Sequence, residues 1–170
     1  MKTVLLALLG SILSSMGVPK GTKLKANDPL VVRYAGCVDD VVEVTNELPE
    51  YMRSVWASVT IVMVMAESAC QANPPGHNDD GKACGPLQTH HPEWDIPGAT
   101  CDKVRKDRKL GIRVGLTRMI RLSRDCGSIG AGLTAYAMTG TCPKGWVLPL
   151  VAKRLKIAGI DPSAPWSPGA

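Results

Sequence analysis

The sequence predicts a mostly α-helical fold in one domain, on three observations. Apolar residues recur at helical spacings in several separated segments. Asp-Pro and Asn signals open such segments, and Gly or Asp-Pro closes them. A chain of 170 residues, 45% hydrophobic and 21% charged, has the size and composition of a globular protein with one core. Phe is absent, so Val, Leu, seven Met and four Trp must fill that core.

Residues 1–17 read as an export signal: Lys2, the apolar run Val4 to Leu13, then Ser15 and Gly17 at small-x-small positions. A retained anchor or an ordinary first helix is the alternative, and the run is short for a membrane span. No stable membrane insertion is expected once the signal is removed. Residues 18–27 form a polar, Lys-containing lead-in. Residues 28–160 form the folded domain, and residues 161–170 a Pro- and Gly-rich tail expected to fray. Six cysteines, all after residue 17, fit an exported chain carrying three disulfides. Formal charge is +5 with Lys2 counted, a modest basic excess suited to an anionic cell wall. The basic residues are mixed with acids and lack interleaved aromatics, so no nucleic-acid partner is expected.

Each element follows from local signals. Asp28-Pro29 reads as a cap with Pro at the first helical position, opening a helix to about Thr45. Asn46 offers a cap for a second helix, Glu47 to Ala69. There Leu48, Met52, Val55, Val59, Val62, Met63 and Ala66 fall at helical spacings. From Val55 to Ala66 this helix is apolar on nearly every side, which suits the centre of the fold. Residues 71–100, rich in Pro, Gly, Asn, Asp and His, should form a long irregular loop of the functional kind. One helical segment from Cys101 to about Gly127 follows, with Val104, Ile112, Leu116, Met119, Ile120 and Leu122 on its apolar side. Further helices are expected over 129–138 and 144–158, the last stopped by Gly159 and Asp161-Pro162.

The chemistry concentrates where the central helix ends. Glu67 is delivered there, and a carboxyl group partly withdrawn from water holds its proton more readily, as a general acid must. Glycosidic cleavage needs such an acid to protonate the leaving oxygen while positive charge develops on the sugar. Asp79 and Asp80 follow 12 and 13 residues later and are candidates for a second carboxylate, although Asp79-Asp80-Gly81 also suits a plain turn. A carboxylate separation of about 5–5.5 Å would imply retention and about 6.5–9.5 Å inversion.

Glu67-Ser68, the later Gly85-Pro86-Leu87-Gln88, Gly111-Ile112-Arg113-Val114-Gly115 and Ala135-Tyr136-Ala137 together resemble the lysozyme-like superfamily. Bacterial lytic transglycosylases and goose-type lysozymes carry Glu-Ser, a Gly-Leu-Met-Gln-like turn and a downstream Ala-Tyr-Asn-like segment. Glu67-Ser68-Ala69-Cys70 with Cys84-Gly85-Pro86-Leu87-Gln88 is similar also to invertebrate-type lysozymes. The resemblance spans roughly Glu47 to Ala158, with its motifs in about thirty residues. Pro86 replaces a larger apolar residue, Ala137 stands where transglycosylases have Asn, and cysteines are fewer than in the invertebrate type.

The resemblance implies a lysozyme-like helical domain with an irregular active-site loop, acting on peptidoglycan glycan strands at the MurNAc–GlcNAc bond. Glu67 would be the acid, joined by Asp79 or Asp80 in a muramidase. Without them, an internal muramyl hydroxyl would attack and leave a 1,6-anhydro end. Ser68, Gln88, Tyr136 and Trp94 are candidate substrate contacts. Trp94 and Tyr136 are otherwise core aromatics. A non-catalytic wall-glycan-binding or virion structural protein of the same fold is the alternative, since function lives in sites.

Other residues take plainer readings. Cys70 and Cys84 bracket the loop and their pairing would staple it, with other partners open. Cys126 and Cys142 bracket the Tyr136 segment. Adjacent His90 and His91 cannot share a helix face and lack a zinc motif, so no metal is expected, and no cofactor. The expected protein is an exported monomer.

Overall fold

The computed structural model describes residues 29–74, 82–138 and 140–167, with side chains from Tyr34 onward. The expected signal (1–17), the lead-in (18–27), and Asp79 and Asp80 lie outside the described residues. The fold is mostly helical. Among the described residues six helices follow in order: α1 (Pro29–Thr45), α2 (Glu50–Ser68), α3 (Cys101–Lys106), α4 (Arg108–Asp125), α5 (Ile129–Ala137) and α6 (Pro149–Ile157). A 3-10 turn spans Pro92–Trp94. Among the described residues there is no strand, and β pairing is limited to the isolated bridges Cys84–Thr89 and Ser128–Pro165.

The central helix is α2. Every residue from Val59 to Met65 is buried, so it is enclosed on all sides as its composition predicts. It starts at Glu50 rather than Glu47, because Pro49 disfavours helical backbone in Leu48 and fixes the entry instead of Asn46. It ends through two left-handed residues, Ala69 (φ 48°) and Cys70 (φ 63°). Such backbone costs about 1–3 kcal/mol per non-glycine residue and needs surrounding structure to hold it. The Cys37–Cys70 disulfide supplies that hold by tying the helix end to α1.

The other disulfides are Cys84–Cys101 and Cys126–Cys142. The expected Cys70–Cys84 staple is therefore corrected. Each end of the loop is fastened separately, Cys70 to α1 and Cys84 to α3. Closing 33 residues between Cys37 and Cys70 is worth about 3–4 kcal/mol in the chain-entropy account.

The single helix expected from Cys101 breaks at Asp107, whose carboxylate accepts from Leu110 N at 3.0 Å and caps α4. The last helix starts at Pro149, not Lys144, because Pro fits the first helical turn and interrupts any helix running into it. Ion pairs Arg108–Asp40 and Lys109–Glu43 set α4 against α1, and Arg113–Glu47 continues the row just past the end of α1. The Arg113 hydrogen bond holds the Glu47 carboxyl below its usual range.

The tail is docked as far as Trp166 rather than frayed. Trp166 packs on the core ring of Trp56 with centroids 6.0 Å apart, and its backbone N–H donates to Gly127 O at 2.7 Å. An apolar indole with a core partner outweighs the local Pro and Gly signals. Among the described residues, no helix is long and apolar enough to cross a membrane.

Candidate active-site cleft

The turn from Cys84 to Thr89 is closed by reciprocal backbone bonds, Cys84 N to Thr89 O at 3.1 Å and Thr89 N to Cys84 O at 2.9 Å. It docks on α4 where that helix has no side chains. A Cβ on Gly111 would lie 2.4 Å from Pro86 Cδ, and one on Gly115 would lie 2.4 Å from Leu87 Cδ1. The Gly-x-x-x-Gly spacing of α4 is thus a seat for this turn. Pro86, the departure from the expected apolar residue, is buried in that seat.

Tyr136 on α5 fastens the turn from the other side. Its hydroxyl donates to Leu87 O at 2.6 Å and lies 3.2 Å from Thr89 Oγ1. Burial pushes the phenol well above its ordinary range, the Thr89 hydrogen bond opposes this, and the Glu67 carboxylate adds to it. Tyr136 therefore stays protonated and acts as a donor. An unfolded tyrosine ionises near pH 10, so this contribution to stability is complete below about pH 10 and is lost as pH rises above it. Tyr136→Phe is expected to lower Tm at pH 8, because Leu87 O loses its donor at a cost of about 1–3 kcal/mol. The gap to the parent should narrow by pH 11. Thermal melts across that range check it, and a constant gap would refute the assignment.

These elements enclose a cleft of about 930 Å³ lined by Glu67, Gln88, Trp94 and Tyr136, together with His90, His91, Arg118, Arg121, Met138, Leu150 and Arg154. Four of the residues expected at the site from sequence thus meet, although they come from α2, the loop and α5. Gln88 sits at a left-handed position (φ 50°), and its amide donates to Gly85 O at 2.8 Å, so part of its bonding capacity holds its own turn. Trp94 is 70% exposed and stacks on His91 with centroids 4.3 Å apart. It is a rim aromatic, not a core one. Ser68 does not line the cleft. It is buried, and its hydroxyl donates to Val64 O at 3.0 Å within α2, so the expected substrate contact is corrected to a helix-end bond.

Glu67 is partly withdrawn from water, as its helix suggested, but it is paired with a cation. Its side chain is 25% exposed, and Arg154 Nη1 on α6 donates to Oε1 at 2.5 Å. That partner, 87 residues away, was invisible in the sequence, where Arg154 is one of many basic residues on the last helix. Sequence reasoning also missed Asp95, whose side chain is wholly buried between Arg118 (2.7 Å) and Arg121 (2.9 Å). A carboxylate two residues beyond Glu93, in a segment read as irregular, carried no signal of burial. Among the described residues, no group of His, Cys, Asp or Glu is placed to hold a metal ion.

Of the non-glycine residues with positive φ among the described residues, Gln88 and His91 line the cleft, and Ala69 and Cys70 lie two and three residues after Glu67. Backbone strain gathered at a cleft marks a site held in a particular shape. The class these features define is a mostly helical, disulfide-stapled domain with a charged, aromatic-rimmed cleft at the end of its central helix. No protein-family model matches the chain, and neither a curated protein nor a solved structure matches it.

Proposed function

We propose that the protein is an exported, lysozyme-like enzyme that cleaves peptidoglycan glycan strands at the MurNAc–GlcNAc bond, with Glu67 as general acid. The observation that carries this reading is the convergence of Glu67, Gln88, Trp94 and Tyr136 on one cleft. The cleft has the size of a small-ligand or sugar site. Its rim aromatic offers a face for a pyranose ring, and a carboxyl group on the same cleft, Glu67, supports protonation of a glycosidic oxygen as the reaction. Three disulfides suit an oxidising compartment.

In this mechanism the entering glycan displaces Arg154 from Glu67, because a guanidinium partner favours the charged form of a carboxyl group whereas the acid step needs its protonated form, the proton being taken up from solvent once the pair opens. Tyr136 holds the Leu87 carbonyl and so fixes the turn carrying Gln88. Glu67 then protonates the leaving oxygen. It next serves as base, either for a muramyl hydroxyl that closes a 1,6-anhydro ring or for water. In a muramidase Asp79 or Asp80 would supply the second carboxylate. The wholly buried Asp95, neutralised by two arginines, is not suited to that part.

The Glu67–Arg154 pair itself favours a second reading, a wall-glycan-binding or virion structural protein that does not cleave. Digestion of purified cell walls, followed by mass analysis of the soluble fraction, separates the outcomes. Anhydro-ended fragments mark a transglycosylase and reducing ends a muramidase. Folded protein that adheres to walls and releases no soluble glycan would overturn the enzymatic reading in favour of the second.

A further inference from the structure

Among its described lining residues, the cleft carries an excess of guanidinium over carboxylate. Among them, Arg118, Arg121 and Arg154 face a single acid, Glu67, on which Arg154 is spent. Arg118 and Arg121 share Asp95, so two positive charges are held on one negative charge and, among the described residues, one unit is left over. Arg121 is the outer of the two, its side chain 42% exposed against 14% for Arg118. Its Nη2 is fixed on a carboxylate with no solvent access, so the guanidinium is already ordered before any ligand arrives. Asp95 directly follows Trp94. The same short turn therefore sets the exposed indole and anchors the arginine.

The geometry points to Arg121 as a carboxylate-recognition residue that makes the cleft prefer acidic glycan strands over neutral ones. The inference rests on the glycan reading above and names the substrate feature that the site selects. A sugar ring stacked on Trp94 would bring its substituents toward a guanidinium that has donors beyond the one held by Asp95. Carboxylate is the group that this planar donor set matches. On a wall glycan it comes from two sources: the lactyl group of muramic acid where the peptide has been removed, and the peptide stem where it is present.

The test is equilibrium binding of three tetrasaccharides to the full, disulfide-bonded chain: chitotetraose, a stem-free muramyl strand and a stem-bearing strand. The parent should bind at least one acidic strand about tenfold or more tightly than chitotetraose, and whichever gains identifies the source. Arg121→Gln should abolish that preference, read as the ratio of acidic-strand to chitotetraose affinity within the same variant, while Arg121→Lys should retain part of it. Equal affinity of the parent for all three strands overturns the inference, and that arm requires no variant. An Arg121→Gln protein that keeps the full preference overturns it too. Cleavage is read separately. Preference without cleavage leaves this inference standing and removes the enzymatic reading, whereas cleavage without preference removes this inference alone. Failure of every strand to bind overturns both.

Discussion

Glu67→Gln is expected to reduce release of soluble glycan from cell walls by about 10²–10⁴-fold, the range general acid–base groups supply. The exchange removes the transferable proton and little else. The amide oxygen of Gln can still accept from Arg154 Nη1, which reaches Glu67 Oε1 at 2.5 Å in the parent. The α2–α6 contact should therefore survive, and sedimentation of the variant with insoluble walls should match the parent. Loss of both binding and lysis would mean that residue 67 serves the fold. Unchanged lysis would remove it from the chemistry.

Gly132→Ala is expected to have the largest effect on stability. A Cβ there would lie 2.3 Å from both Cα and N of Ser123, so it meets the backbone of α4 rather than a side chain that can swing away. The helices must separate, and overpacking of this kind costs about 1–3 kcal/mol and occasionally more. Better helix propensity returns at most about 1 kcal/mol. A Tm fall of several degrees follows, at about 2–4 °C per kcal/mol for a chain of this size. Because α5 carries Tyr136, the turn holding Gln88 should loosen as well, and lysis should fall with stability. Gly36→Ala on α1 is the control. Its Cβ meets only the flexible end of Arg108, at 3.1 Å, and Tm should hold or rise. Equal Tm falls for both variants would contradict the close-packing account.

Much of the fold was legible because its signals are local. Pro29 opens α1 and Gly127 follows the end of α4, and the apolar stretch of α2 announced a buried helix. The boundaries that shifted did so where a strong local rule competed with periodicity: Pro49 over Asn46, Asp107 within an otherwise continuous pattern, and Pro149 over Lys144. Long-range facts were not legible. Disulfide pairing depends on which helix ends meet, and the docking of Trp166 depends on where Trp56 sits.

The candidate site divides in the same way. Residues carried by motifs, Glu67, Gln88 and Tyr136, do line one cleft. Two of the expected substrate contacts, Tyr136 and Ser68, make bonds internal to the protein. Tyr136 and Thr89 hold the turn, and Ser68 bonds back into its own helix. The electrostatic surroundings were hidden altogether. Arg154 and Asp95 are unremarkable in sequence, and only the tertiary fold places one on Glu67 and buries the other beneath two arginines.

The most direct measurement is a crystal structure of Glu67→Gln bound to a muramyl-containing tetrasaccharide. The account predicts the strand in this cleft with a ring over Trp94, Arg154 displaced, and a glycosidic oxygen about 2.6–3.2 Å from the residue 67 amide. A strand seated elsewhere, or one in the cleft with residue 67 still bonded to Arg154 and remote from every glycosidic oxygen, would contradict it.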